Sequence, residues 1–286
     1  MIIKALRIEQ WIKNLIIFFP ILFIGQYNLA KVLLLSKVFF GFSLMVSATY
    51  IINDLVDIES DKKHPSKKHR PVASSNIDSK IWLFISAFLF LIGSFILIII
   101  NREVYLYSII YISLSISYTF KLKFLKFLDL TTITVLFLLR IYIGSVVFQI
   151  PLSGELVFFV LFMSLGIISS KKYSILVRTD IESSKVKIFL EETYSKNILA
   201  LTSKGSFSFA LFTYLYWVLK SENSVLLNYN ILLHLIGIFF LGIFNFLYYK
   251  EMKIGNTEDI FQAIKNNYSL LIALFLFTFF LILGVV

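Results

Sequence analysis

The stretch Asn53-Asp54-Leu55-Val56-Asp57-Ile58-Glu59-Ser60-Asp61 follows directly on the apolar run Val38–Ile52. The apolar run reads as membrane-embedded, so the carboxylates stand where a span meets water. Asp54, Asp57 and Asp61 are three and four residues apart and project from one face if the helix continues through them. Unpaired carboxylates stacked in that way repel one another unless a cation sits between them. A basic run follows at once: Lys62, Lys63, Lys67, Lys68 and Arg70. Carboxylates for a metal beside cations for phosphate oxygens suggest a site for a Mg²⁺-bound diphosphate. The bland alternative is a solvated juxtamembrane turn in which Asp and Lys merely pair.

Composition sets the environment of that stretch. The 286 residues are 58% hydrophobic, 17% aromatic and 15% charged. Soluble domains use roughly 45–50% apolar and 25% charged residues, so this much apolar surface belongs in a bilayer. The expectation is an all-α polytopic membrane protein forming one integral membrane domain over residues 1–286. The net charge of +10 does not call for nucleic acid, because the basic residues are scattered between hydrophobic segments. That scatter is the pattern of membrane topology and anionic headgroups. Cysteine is absent, which excludes disulfides, thiol catalysis and cysteine metal sites. Asn14 to Ile24 has the look of a signal-peptide core without the small-residue cleavage pattern, and it reads as a retained first span.

A span needs about 20 mostly apolar residues, or roughly 17 at the short end. Nine candidates emerge, centred on Trp11–Ile24, Ser36–Ile52, Ile81–Ile100, Val104–Thr119, Asp129–Phe148, Glu155–Ser170, Ile198–Leu219, Ile231–Tyr249 and Tyr268–Val286, the first of them short, with Lys4, Arg7 and Lys13 preceding or entering it. Of the 27 Lys and Arg residues, Lys31, Lys37, Arg102 and Lys220 fall on one side, and Arg140 and Lys204 lie within or near spans. The other 21 fall in the N-terminal segment and in the loops after the second, fourth, sixth and eighth spans. The positive-inside rule then puts the N-terminus and the carboxylate cluster in the cytoplasm and the C-terminus outside. Sugar and nucleotide diphosphates are cytoplasmic metabolites, so chemistry and topology agree.

Further polar groups gather towards that face. Tyr118 and Lys123 stand where the fourth span ends, Asp129 opens the fifth, and Arg140 lies three turns deeper. An arginine at that depth is costly in lipid and marks a candidate site, with a structural ion pair or snorkelling as the alternative. Lys171, Lys172, Tyr173 and Arg178 form a second basic cluster as the sixth span ends, which is also what topology alone would produce. Gln10, Lys13 and Asn14 add polar groups near the first span, where Trp11 reads as an interfacial anchor. His234 and Asn245 read as helix-packing groups. His64 and His69 lack ligand spacing to other histidines, which argues against zinc.

The motif Asn53-Asp54-x-x-Asp57-x-x-x-Asp61 in a nine-span chain resembles the first aspartate-rich motif of the UbiA-type intramembrane prenyltransferases. Its continuation through His64-Pro65, Lys67-Lys68 and Arg70-Pro71 is similar to one branch, the decaprenyl-phosphate phosphoribosyltransferases. Gln10-Trp11-Ile12-Lys13-Asn14, Leu122-Lys123, Asp129-Leu130, Leu139-Arg140 with Gly144, and Lys171-Lys172-Tyr173 match that branch in order. The resemblance implies nine transmembrane helices around a central cavity open to the cytoplasm and laterally to lipid. It also implies Mg²⁺-diphosphate held between two aspartate motifs. Two departures stand out. The loop after the sixth span has only Asp180, Glu182, Glu191 and Glu192, with Lys171-Lys172 in the region instead of an Asp-x-x-x-Asp. The branch's usual Lys-Arg-Tyr-x-Glu-Leu reads Lys171-Lys172-Tyr173-Ser174-Ile175-Leu176.

The resemblance implies Mg²⁺-dependent transfer of 5-phosphoribose from phosphoribosyl diphosphate to a polyprenyl phosphate. Asp54, Asp57 and Asp61 would hold Mg²⁺ and Lys67, Lys68 and Arg70 would meet donor phosphate. Lys13, Asn14, Asn53, Tyr118, Lys123, Arg140, Lys171 and Lys172 would contact substrate. The expected partners are therefore a polyprenyl lipid, a diphosphate-bearing cosubstrate and the bilayer. The alternative is prenyl transfer from a polyprenyl diphosphate to an aromatic or other acceptor. A secondary transporter is the reading from another class. It fits less well, because transporters concentrate ionisable groups near the midplane with broken helices.

Overall fold

The computed structural model describes residues 2–24, 28–63, 67–75, 77–178, 185–221 and 231–285. All the regular structure there is helical, with eight long helices. They are α1 (Leu29–Val56), α2 (Ser79–Ile100), α3 (Arg102–Phe120), α4 (Leu128–Val146), α5 (Gly154–Val177), α6 (Lys196–Ser221), α7 (Ile231–Ile254) and α8 (Tyr268–Val285). The chain divides into two compact units, Met1–Ile21 with Tyr27–Thr132 and Leu138–Pro151, and Leu22–Gln26 with Ile133–Phe137 and Leu152–Val286.

Side-chain caps start several of these helices. Asn28 accepts from the Lys31 amide at 2.9 Å, Asp78 from Lys80 at 2.8 Å, and Ser153 from Leu156 at 3.2 Å. Asn101 accepts from the amides of both Glu103 and Val104. Each cap satisfies a donor that the first turn leaves open.

Among the described residues six helices are long and apolar enough to cross a membrane: α1, α2, α4, α5, α6 and α7. The apolar part of α8 is shorter, Tyr268–Gly284. The first expected span is instead a 3₁₀ helix, Ile8–Phe18, running into a short α-helix, Phe19–Ile24. The fourth expected span is helical, but serines and tyrosines dilute its apolar character. Exposure follows the logic of lipid solvent. The most apolar of the six, α2, has 22% of its apolar stretch buried, whereas the less apolar α4 has 61%. Phe84, Leu91, Phe95 and Ile99 on α2 are all exposed. An aqueous protein would bury them.

In the first unit, α1 crosses α2 at small residues. A Cβ on Gly93 would stand 2.5 Å from the Gly41 carbonyl oxygen, so glycine lets the two backbones meet. Leu44, Ala48, Ile51, Trp82 and Leu89 pack there, joined by Ala5 and Val72. In the second unit α5, α6, α7 and α8 enclose Phe207, Phe244, Tyr248, Leu270 and Ala273. An aromatic group of Phe23, Phe159, Tyr214, Trp217 and Phe277 packs beside His234. His234 Nδ1 lies 2.9 Å from the Tyr214 hydroxyl, which makes it the packing group expected from the sequence.

Candidate active site

The acidic stretch does not continue as one helix. α1 ends at Val56, Asp57 turns (φ −96°, ψ 9°), and a new short helix runs from Ile58 to Lys63. Asp57 therefore leaves the face shared by its neighbours. Asp54 and Asp61 are buried, while Asp57 is partly exposed. Among the described residues no group of three or more acidic or histidine side chains is gathered closely enough to hold a metal ion. The expected one-face triad is thus a pair plus a separate carboxylate.

Cations hold both parts. Arg70 Nη1 lies 3.1 Å from Asp54 Oδ1 and 2.7 Å from Asp61 Oδ2, so one guanidinium bridges the two buried carboxylates. Asp57 receives Lys123 Nζ at 2.8 Å and 3.1 Å on its two oxygens. The cation required between the stacked carboxylates is the protein's own. Arg70 reaches this place because Pro71 opens a short helix (Pro71–Ser74) with Arg70 extended before it. Asn53, beside Asp54, accepts from the Thr119 hydroxyl of α3 at 3.2 Å.

A residue that sequence reading passed over completes the cluster. Arg7 makes a partly buried ion pair with Asp54 Oδ1 and sits over the Tyr50 ring, 5.3 Å from its centroid. Its backbone is left-handed (φ 51°, ψ 48°), a conformation costing a non-glycine residue roughly 1–2 kcal/mol. Ser43, Ser47, Tyr50 and Asp54 recur at helical spacing on α1 and grip the N-terminal segment. Asn14 donates to Ser43 Oγ at 2.9 Å, Trp11 Nε1 to Ser47 Oγ at 2.9 Å, and Arg7 closes the row. Trp11 is therefore tied to a helix as well as suited to an interface. The only sequence signal for Arg7 was its place three residues before Gln10-Trp11.

Arg140 is buried and donates through Nε to Asn14 Oδ1 at 2.9 Å and through Nη2 to the Tyr111 hydroxyl at 2.5 Å. Its guanidinium also sits 4.8 Å from the Tyr111 ring centroid. The approach of the 3₁₀ helix to α4 depends on Gly144, where a Cβ would stand 1.9 Å from the Ile17 carbonyl oxygen. Asn14 and Arg140 are thus brought together, and Asp129 is buried in the first turn of the same helix. Lys13 and Tyr118 are half-buried and Lys68 is exposed. Lys67 begins the short 67–69 turn, with its side chain outside the described residues, as are His64, Asp180 and Glu182.

In the second unit the expected basic cluster comes apart. α5 runs on to Val177, so Lys171 and Lys172 lie inside a helix rather than in the loop after it. Successive helical residues point about 100° apart, and Lys172 is buried while Lys171 is exposed. Arg178 donates to Glu258 at 2.8 Å. Ser174 and Thr257 hydroxyls meet at 2.6 Å, and Thr257 also donates to the Ser170 carbonyl at 3.0 Å. Glu191 and Glu192 are exposed on the helix Lys185–Thr193.

Residues 14–271 match the UbiA prenyltransferase family model, and the chain belongs to that family. It is a membrane-embedded transferase. It is 28% identical over 229 residues to a decaprenyl-phosphate phosphoribosyltransferase of Mycobacterium tuberculosis, across 77% of this chain and 74% of that one. An uncharacterized protein of Sinorhizobium fredii is 34% identical over 173 residues, across 60% of this chain but only 33% of that longer one. The fold resembles a UbiA homolog from Archaeoglobus fulgidus solved with GPP and Mg²⁺, with a TM-score of 0.64 and 12% identity over 98% and 96% of the two chains.

The donor set suits Mg²⁺. Asp54 and Asp61 supply hard carboxylate oxygens and already flank a positive charge at the Arg70 guanidinium. Asp57, turned to Lys123, stands apart from that pair.

Proposed function

We propose that the protein is a single transferase domain that moves 5-phosphoribose from phosphoribosyl diphosphate to a polyprenyl phosphate at the cytoplasmic face. The observation that carries this is the bridged Asp54–Arg70–Asp61 pair in a chain related over 77% of its length to a decaprenyl-phosphate phosphoribosyltransferase. The uneven distribution of Lys and Arg supports the orientation. Nine membrane-crossing segments around a cavity remain the arrangement this reading implies.

Asp54 and Asp61 would hold Mg²⁺, which when bound neutralises the diphosphate leaving group. Arg70, displaced from the carboxylates, turns to donor phosphate oxygens, with Lys67 and Lys68 supplying further positive charge. Lys123, held by Asp57, faces the same charge. The ribose C1–O bond to diphosphate breaks as a C1–O bond to the lipid phosphate forms, and diphosphate departs. The lipid phosphate is already ionised at neutral pH, so no strong general base is needed. Positioning and electrostatic stabilisation carry the reaction. Lys13 and Asn14, fixed through Arg140, and Lys172 with Lys171 are the remaining candidates for phosphate contacts. Asn53 and Tyr118 border the site.

The family is named for prenyl transfer, and the same acidic pair would serve a polyprenyl diphosphate attacked by another acceptor. Incubating the purified protein with radiolabelled phosphoribosyl diphosphate, polyprenyl phosphate and Mg²⁺ separates the readings. A labelled lipid product is expected. Product from prenyl diphosphate and an aromatic acceptor, with none from phosphoribosyl diphosphate, would overturn the assignment.

A further inference from the structure

We propose that Arg7 is a phosphate-binding residue stored on Asp54, released to the diphosphate when Mg²⁺ and diphosphate arrive together. The proposal rests on the Mg²⁺-diphosphate reading of the site and adds a residue and an order of binding to it. Asp54 Oδ1 accepts from two guanidinium groups, Arg7 and Arg70, and Arg70 is shared with Asp61. Two buried acids and two partly buried bases make this cluster formally neutral. A lone divalent cation entering it would leave a net charge of +2 and strip two guanidiniums of their acceptor. Buried charge left without a partner is strongly unfavourable. A diphosphate entering with the metal more than offsets the added positive charge and offers the oxygens that the guanidiniums lose. Arg7 is suited to such an exchange. It sits on a left-handed turn between two short helices, its backbone amide bonding Lys4 and its carbonyl accepting from Gln10. The Tyr50 ring supports the guanidinium from the side, and a planar donor fork suits phosphate as well as carboxylate.

The consequence is an opposed pair of effects. In Arg7→Gln the cluster carries one negative charge, so a bare divalent cation should bind more tightly while diphosphate binds more weakly. The full-length protein in detergent micelles is titrated with Mn²⁺, followed by electron paramagnetic resonance. Inorganic diphosphate is then titrated at saturating Mn²⁺. Losing a charge-assisted contact corresponds to roughly a tenfold change, which is expected in each direction. Arg7→Lys keeps the charge and should leave Mn²⁺ affinity near wild type while recovering part of the diphosphate affinity. A merely structural Arg7 would weaken both ligands or neither, and either pattern overturns the proposal. Should Arg7→Gln not fold, Arg7→Lys decides alone: weakened Mn²⁺ binding, or diphosphate affinity equal to wild type, is fatal. If the wild type itself binds neither Mn²⁺ nor diphosphate, the Mg²⁺-diphosphate reading fails. If the wild type binds both and the variants match it, only the role of Arg7 fails.

Discussion

The two units solve one structural problem in two ways. In each, a long helix presents a row of hydroxyl side chains to a neighbouring segment and finishes the row with a charge. On α1 the row is Ser43, Ser47, Tyr50 and Asp54, and the gripped segment is the N-terminal one. On α5 it is Ser170, Ser174 and Arg178, and the gripped segment is the turn around Thr257 and Glu258. The second arrangement carries a simple ion pair between Arg178 and Glu258. In the first, one carboxylate oxygen serves two guanidiniums and one guanidinium serves two carboxylates. Shared partners can be exchanged for a ligand of matching charge, while a one-to-one pair has nothing to gain. On this difference we propose Asp54 as the carboxylate that exchanges partners with substrate and Glu258 as a holding group.

The sharpest way to break that contrast is to neutralise each acid. Asp54→Asn should lower turnover at least about a hundredfold, corresponding to about 2.7 kcal/mol of transition-state stabilisation. Glu258→Gln should change turnover less than about twofold, because Arg178–Glu258 is a one-to-one pair outside the bridged acidic cluster and its loss acts on stability rather than on the reacting charge. Size-exclusion profiles of both variants check that each remains folded, and turnover is compared only where they match wild type. Equal losses would abolish the distinction between the units.

Packing offers a second contrast. Gly144→Ala puts a Cβ against the Ile17 carbonyl oxygen, whereas a Cβ on Gly205 meets nothing within 4 Å. Overpacking of the first kind costs about 1–3 kcal/mol. Its signature is a lowered Tm in detergent. Gly205→Ala should leave Tm unchanged or raise it, since alanine is the better helix former by about 1 kcal/mol. A Gly144→Ala variant as stable as wild type would show that the 3₁₀ helix can draw back from α4.

The smallest expected effect lies between adjacent lysines. Lys172→Gln should raise the apparent KM for one phosphorylated substrate by about fivefold, and Lys171→Gln by less than twofold, with kcat recorded for both. Donor and acceptor are varied separately at fixed lipid composition. Identical behaviour of the two variants would reduce the pair to a topology signal.

The sequence alone determined that the chain is helical and membrane-embedded, because 58% hydrophobic residues grouped into spans leave no aqueous alternative. It also located the acidic site and the family, since Asn53-Asp54-x-x-Asp57-x-x-x-Asp61 is a local pattern at fixed spacing. Helical periodicity is local as well, yet it misplaced Asp57, because a single turn there ends α1 and breaks the expected face. The same rule applied over a longer helix would have separated Lys171 from Lys172, had the end of α5 been readable. Only the tertiary structure decided which cations meet which carboxylates. Arg7 and Asp54 are 47 residues apart, and Asn14 and Arg140 are 126 apart. Among 27 lysines and arginines Arg7 is marked locally by no more than its place three residues before Gln10-Trp11. Its pairing with Asp54 follows from the backbone turn that carries it, from the side-chain bonds that hold the N-terminal segment on α1, and from the glycine-permitted approach of that segment to α4. Ion pairing depends on distance in space, which sequence spacing does not fix beyond a turn or two of helix.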